Sequence, residues 1–205
     1  MTATVWTSLL TLRIPALCHA IREYHPADEP SWLRCRVLSF LGTAYFDDVA
    51  KSKPAIPAPG VELVATGKDR TLSGIIDVTI NGDLATIDTI AVHPDHQRRG
   101  IGRALLQEAR ARARALGALT LDAWTRDDPG TLRWYRTNGF AESEHYLHVY
   151  ANHYTEPGEP DRAIGERRPG LRPMAVFLHA DLHDEHMLRK QFTRVHVCRR
   201  FVSEL

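Results

Sequence analysis

Apolar and polar positions along this chain change period several times, and each change marks an element. Between residues 61 and 92 the period is two: runs near 61–67, 73–80 and 84–92 are rich in Val, Ile, Leu and Thr and read as three strands. Asn81-Gly82 between the last two predicts a hairpin with a type I′ turn, so these strands are expected to pair antiparallel. From Ile101 the period lengthens, and Ile101, Leu105, Ala109, Ala113 and Leu116 fall on one face of a helix that Gly117 ends. Residues 119–124 then predict a buried strand, and its place after a helical crossover predicts parallel pairing with the strand ending at Val92. Asp127-Asp128-Pro129 opens another helix, closed by Asn138-Gly139.

Residues 21–24 read as a short first strand. Asp28 is expected to cap a helix before Glu29 and Pro30, with Leu33, Val37, Phe40 and Leu41 at helical spacing until Gly42. A proline-rich connection fills 53–60, and alternation returns over 146–150. The segment 153–173 holds four prolines and three glycines and is too long for an ordinary connection, which makes it a lid or an insertion. Residues 181–192 read as a short helix and 195–198 as a last strand. The expected organisation is one α/β domain: an extension at 1–18, a core at 19–152, the loop at 153–173, and a helix and strand at 174–205 completing the same domain.

Composition narrows the class. The chain has 205 residues, 43% of them hydrophobic, enough for one real core. Its formal net charge of +1 supplies no drive toward nucleic acid or an anionic membrane. Residues 5–10 are mostly apolar, but Arg13 interrupts the patch and no basic region precedes it, so no signal peptide is expected. Cys18, Cys35 and Cys198 are odd in number and lack any C-x-x-C pattern, which fits a reduced, cytoplasmic protein. His179, His183 and His186 have i, i+4, i+7 spacing and are expected on one helix face; H-E-x-x-H is absent and no metal is expected.

The chemistry-bearing stretch is Ala91-Val92-His93-Pro94-Asp95-His96-Gln97-Arg98-Arg99-Gly100-Ile101-Gly102-Arg103-Ala104, which joins a strand to a helix through a basic turn. The first turn of a helix has unpartnered N–H groups and a partial positive charge, so it receives anions. Glycine at 100 and 102 lets a phosphate approach where a Cβ would stand in the way. A P-loop pattern is absent, and the third glycine of a dinucleotide fingerprint is replaced by Leu105. What remains, Q-x-x-G-x-G after a strand and V-H-P, resembles the acyl-CoA signature of the GNAT superfamily of N-acetyltransferases. A second element resembles the same family: Trp134-Tyr135-Arg136-Thr137-Asn138-Gly139-Phe140 follows its F-Y-x-x-x-G-F pattern, with Trp for Phe.

The resemblance covers about residues 19–151, with a final strand near 194–202. It implies a mixed, mostly antiparallel sheet that splays between its fourth and fifth strands and is flanked by helices, with acetyl-CoA in the opening. The strand end Ile90, Ala91 and Val92 would then face the pantetheine, the Val92 N–H polarising the acyl carbonyl. The turn of Gln97, Arg98, Arg99, Gly100, Ile101, Gly102, Arg103 and Ala104 would hold the pyrophosphate, chiefly through main-chain N–H groups. Tyr135 would protonate the leaving sulfur; the alternative is a core aromatic. Asp128 stands where the family often has an asparagine that contacts pantetheine, and it also suits a helix cap.

An amine acceptor must lose a proton before it attacks a thioester. Asp88, which shares alternation parity with Ile90 and Val92, is the candidate base; the alternative is an ordinary strand acid, with Glu62 and Asp77 in reserve. Tyr45, Phe46, Asp47 and Asp48 follow the first helix, where they would recognise a cationic, partly apolar amine or simply start a helix with solvated charge. The resulting expectation is acetyl transfer to a primary amine in a ternary complex. The acceptor is expected to be a small metabolite or an amine antibiotic, with neither nucleic acid nor membrane as partner and a homodimer left open. The competing readings are a non-catalytic acyl-CoA sensor and a protein or peptide N-acetyltransferase.

Overall fold

A computed structural model describes residues 19–67 and 71–205; the expected extension at 1–18 lies outside the described residues. Eight strands form one sheet in the order β1-β2-β3-β4-β5-β8-β6-β7: β1 Ala20–Glu23, β2 Gly60–Thr66, β3 Leu72–Asn81, β4 Leu84–Val92, β5 Thr120–Arg126, β6 Ala141–Asn152, β7 Ala175–Ala180 and β8 Arg194–Glu204. All neighbours are antiparallel except β4 and β5, which the helical crossover makes parallel as expected. The helices are α1 Glu29–Phe40, α2 Ile101–Ala115, α3 Pro129–Thr137, α4 Glu159–Ala163 and α5 Glu185–Gln191.

Helix α2 buries Ile101, Leu105, Leu106, Ala109 and Ala113 against Leu63, Ile76 and Val78 on one face of the sheet. Gly74 makes this approach close, because a Cβ there would come within 2.8 Å of Ile101 and 2.9 Å of Leu105. On the other face, α1 packs Trp32 and Cys35 against Val64, Ile75 and Ala91. A third core joins Leu147, Val149, Val195 and Val197 to Phe192, beside α4 and α5.

Several local expectations are corrected. The β3–β4 loop is Gly82-Asp83, and only Gly82 has positive φ (62°), as in a type II′ turn, whereas a type I′ turn needs both central residues there. Asp28 does not cap α1 with its side chain; it accepts from the His25 N–H (2.9 Å) and pairs with Arg22, closing the short 3-10 turn that precedes the helix. Val37 and Leu41 are exposed, since α1 turns Trp32 inward, where Asp77 accepts the indole N–H at 3.1 Å. Strand β7 arises just after the segment expected to be a lid. The three histidines share no helix: His179 is on β7, His183 in a 3-10 turn and His186 on α5.

The segment after β6 is anchored. Glu159 on α4 is buried, and its carboxylate accepts from the N–H groups of Asn152 (3.0 Å) and Thr193 (2.5 Å), tying the segment to β6 and to the residue before β8.

Candidate active site

Strands β4 and β5 pair only from Leu84↔Thr120 to Ile87↔Ala123. Beyond that point each stays paired to its outer neighbour, β4 to β3 as far as Val92 and β5 to β8 as far as Arg126, so the two diverge. A β-bulge marks the parting: Asp77 opposes Thr89 and Val78 opposes Ile87, which leaves Asp88 as the extra residue. Parity reverses there. Ile87 packs on the α2 side, and after the bulge Ile90 and Val92 do, while Ala91 turns to α1. The shared parity expected of Asp88, Ile90 and Val92 is therefore overturned: Asp88 accepts from the Thr79 hydroxyl (2.7 Å) on the α1 side.

The opening is a cleft of about 750 Å³ that passes between the strands from the α2–α3 side to the α1 side. Among the expected site residues, Asp88, Ile90, Ala91, Val92, Gln97, Arg98, Gly100, Ile101, Gly102, Arg103, Asp128, Tyr135, Tyr45 and Asp48 line it. The Val92 carbonyl accepts from Ser39 Oγ (2.9 Å) and Gln97 Nε2 (3.2 Å), which fixes the strand end.

The turn into α2 has an unusual backbone. Arg98 (φ 60°) and Gly100 (φ 81°) both lie in the left-handed region, a conformation that gathers successive N–H groups into an anion-binding concavity. Glycine is needed at 100 for this angle, with nothing within 4 Å of an added Cβ; at 102 a Cβ would meet Val92 at 3.4 Å and Trp134 at 3.6 Å, ordinary contact. Ala104 leaves the expected donor set, because its N–H closes the first helical bond, on Gly100 O (3.0 Å). Arg99 does not line the cleft and donates to Asp95 O (2.9 Å).

Tyr135 projects from α3 with its ring stacked on Phe201 and edged by Trp134 and Phe140. These ring contacts hold it, and its hydroxyl borders the cleft without a hydrogen bond to a protein group among the described residues. Burial pushes the phenol well above its ordinary pKa, so it stays protonated. Asp128 caps α3 through Thr131 N (2.7 Å) and Thr131 Oγ1 (2.8 Å), and its side of the helix start lines the cleft.

The loop after α1 divides. Tyr45 accepts from the Arg126 N–H (3.0 Å) and lines the cleft, and Asp48 pairs there with Arg36. Phe46 and Asp47 turn away to Arg194, which stacks over the Phe46 ring (4.5 Å) and grips Asp47 with two hydrogen bonds. No helix starts at Asp47-Asp48. The reserve bases are committed elsewhere: Glu62 and Asp77 both hold the buried Lys53 ammonium, away from the cleft. The sequence reading missed Arg36, Ser39, Thr43, Trp124, Thr125 and Trp134, all in the cleft wall. For Trp124 and Thr125 the signal was present, since they continue the strand past its last parallel pair.

Comparison with known families matches residues 60–142, from β2 to the start of β6, to the acetyltransferase (GNAT) domain. Over that stretch the chain is similar to a GNAT acetyltransferase domain. Its structure is similar to the ribosomal-protein-S18-alanine N-acetyltransferase of Escherichia coli (TM-score 0.56, 16% identity, covering 91% of this chain and 93% of that one). It is also similar to nourseothricin acetyltransferase (0.54, 17%, 91% and 98%) and to the PaiA N-acetyltransferase of Thermoplasma acidophilum in complex with coenzyme A (0.52, 18%, 61% and 91%). At these identities the likeness is one of fold. A comparison with curated protein sequences returns no match. The GNAT architecture places the left-handed turn, the diverging strands and Tyr135 around one cleft, a donor set that fits an amide-rich arm ending in a diphosphate. No described helix is long and apolar enough to cross a membrane.

Proposed function

We propose that the protein transfers an acetyl group from acetyl-CoA to a primary amine of a small molecule, both held together in the cleft. The observation that carries this reading is the parting of β4 from β5 at Asp88, with the anion-binding turn and the Tyr135 hydroxyl on the same cavity. When bound, acetyl-CoA supplies an activated thioester.

The chain's own groups divide the work. The N–H groups of Ile101, Gly102 and Arg103, with the Arg98 and Arg103 side chains, hold the diphosphate. Backbone of Ile90 and the Val92 N–H, which β5 does not pair, orient the amide arm as an added strand would. The Val92 N–H is the donor toward the acyl oxygen, an arrangement worth about 3 kcal/mol where it has been removed elsewhere. Tyr135 is the residue that would protonate the departing sulfur, with its own proton restored from solvent as the products leave. Asp88, oriented by Thr79, takes the amine proton directly or through water. Free, buried Cys35 and Cys198 support a reducing, cytoplasmic setting.

The test is thiol release from acetyl-CoA across a panel of small amines, amino acids and peptides. Turnover with a small amine is expected. Cofactor binding with no turnover would replace this reading by a sensor, and turnover confined to peptides would replace the acceptor class.

A further inference from the structure

The sheet face on the α1 side carries a structure that the transfer itself does not require. On β6, β7 and β8 the aliphatic side chains Leu147, Val149, Val176, Leu178, Val195 and Val197 all go to the core beside α4 and α5. The register therefore turns Trp124, Tyr146, His148, Tyr150, Phe177 and His179 to the opposite face. There they form a continuous run of rings: Trp124 to Tyr146 at 5.0 Å, Tyr146 to His179 at 4.6 Å, and His179 stacked on His148 at 5.0 Å and 10°. Phe177 then bridges His148 (4.9 Å) and Tyr150 (4.8 Å). Trp124, at one end, lines the cleft, and His179 and Phe177 are exposed at the other.

The charge on this face is also specific. Arg126 is buried, and its guanidinium donates to Ala44 O, the Tyr150 hydroxyl and His148 Nδ1, with no carboxylate ion-paired to it among the described residues. Arg194 is stacked over Tyr150 (3.9 Å) but is balanced by Asp47. A cation laid on the rings would meet a guanidinium that no carboxylate pairs directly among the described residues; burial and Arg126 already hold His148 unprotonated down to about pH 4. Uncharged π-systems meet no such cost, and offset or edge-to-face ring contacts favour them.

We infer that the acceptor carries its primary amine on an uncharged planar or aromatic body, which lies across Trp124, Tyr146 and His179 with the amine turned back into the cleft. This rests on the acetyl-transfer reading and narrows it. Polyamines and aminoglycosides, whose further ammonium groups would fall beside Arg126, are excluded as preferred acceptors.

The test compares tryptamine, spermidine and kanamycin as acceptors, and measures tryptamine binding to the CoA-loaded protein by calorimetry. Wild type is expected to favour tryptamine over the polycations by about tenfold or more in kcat/KM, and Trp124→Leu to weaken tryptamine binding by about tenfold. His179→Ala, at an exposed ring, gives the same direction should Trp124→Leu fail to fold. Preference for spermidine or kanamycin, or unchanged tryptamine affinity in both variants, would overturn the aromatic platform while leaving acetyl transfer standing. Absence of turnover with every amine, alongside tryptamine binding that still depends on Trp124, would keep the aromatic site and overturn acetyl transfer instead.

Discussion

Tyr135 and Phe201 stack with ring centroids 5.1 Å apart and planes 16° from parallel, so a residue of α3 is held in place by the middle of β8. The hydroxyl contributes nothing to that packing. Tyr135→Phe should therefore leave the melting temperature little changed and CoA affinity within about twofold of wild type, while kcat falls about tenfold or more. Steady-state kinetics beside calorimetry checks this; turnover within about twofold would remove the proton-donor role.

Gly102 has room for a methyl and lines the cleft where the proposed reading puts the diphosphate. Gly102→Asp puts a carboxylate among the donors meant for an anion and should abolish thermal stabilisation by CoA, with the apo melting temperature little changed. Gly100→Ala should behave differently. Its cost is conformational, about 1–2 kcal/mol for a left-handed residue with a Cβ, and shows in the apo protein.

Asp88→Asn keeps the hydrogen bond from Thr79 and removes the basicity. The rate should fall most at low pH, where the amine arrives protonated, and recover as pH rises. A pH–rate profile parallel to wild type would rule Asp88 out as the base.

Glu159→Ala strips two backbone N–H groups of their acceptor at a buried site, and the loss should be about 2–4 kcal/mol by denaturant unfolding. Glu159→Gln, which keeps an acceptor oxygen, should cost clearly less.

His148 sets a pH dependence of stability. Its folded pKa is lowered from 6.5 to about 4, first by burial and then by Arg126, so between these values the folded state binds fewer protons than the unfolded one. Stability from this group is complete above pH 6.5 and is lost as pH falls toward 4. Asp77, pushed up to about 6 by burial despite Lys53, works in the opposite direction over part of that window. Chemical denaturation should thus show a flatter acid limb for His148→Asn than for wild type, and identical slopes would sink the assignment.

The left-handed turn into α2 and the place of Tyr135 were legible because each depends on neighbours close in sequence: two glycines, a proline and a strand end in one case, one helical turn and Asn138-Gly139 in the other. Residues 84–92 likewise showed their strand, yet the bulge at Asp88 is a property of the pairing with Asp77 and Val78, which no local pattern encodes. Loop 43–48 split its four candidates for the same reason. Arg194, about 150 positions away, claims Phe46 and Asp47, and Arg126 fixes Tyr45. Strand β7 escaped notice because its outward positions, Phe177 and His179, are aromatic where alternation leads one to expect polar residues. The ring platform is invisible along the chain, since its members come from three strands.

The place of β8 between β5 and β6 bears on how the protein is made. A nascent chain that has emerged only through β7 already holds the β1–β5 half, with its left-handed turn into α2, and the β6–β7 hairpin, yet nothing joins them in the sheet. Until β8 leaves the ribosome and slots between, both β5 and β6 present a raw edge to other chains, and Tyr135 lacks Phe201 to lie against. The Tyr135 wall of the cleft is thereby tied to the arrival of β8, and slow synthesis of the segment after β7 should raise aggregation before it lowers activity per folded molecule.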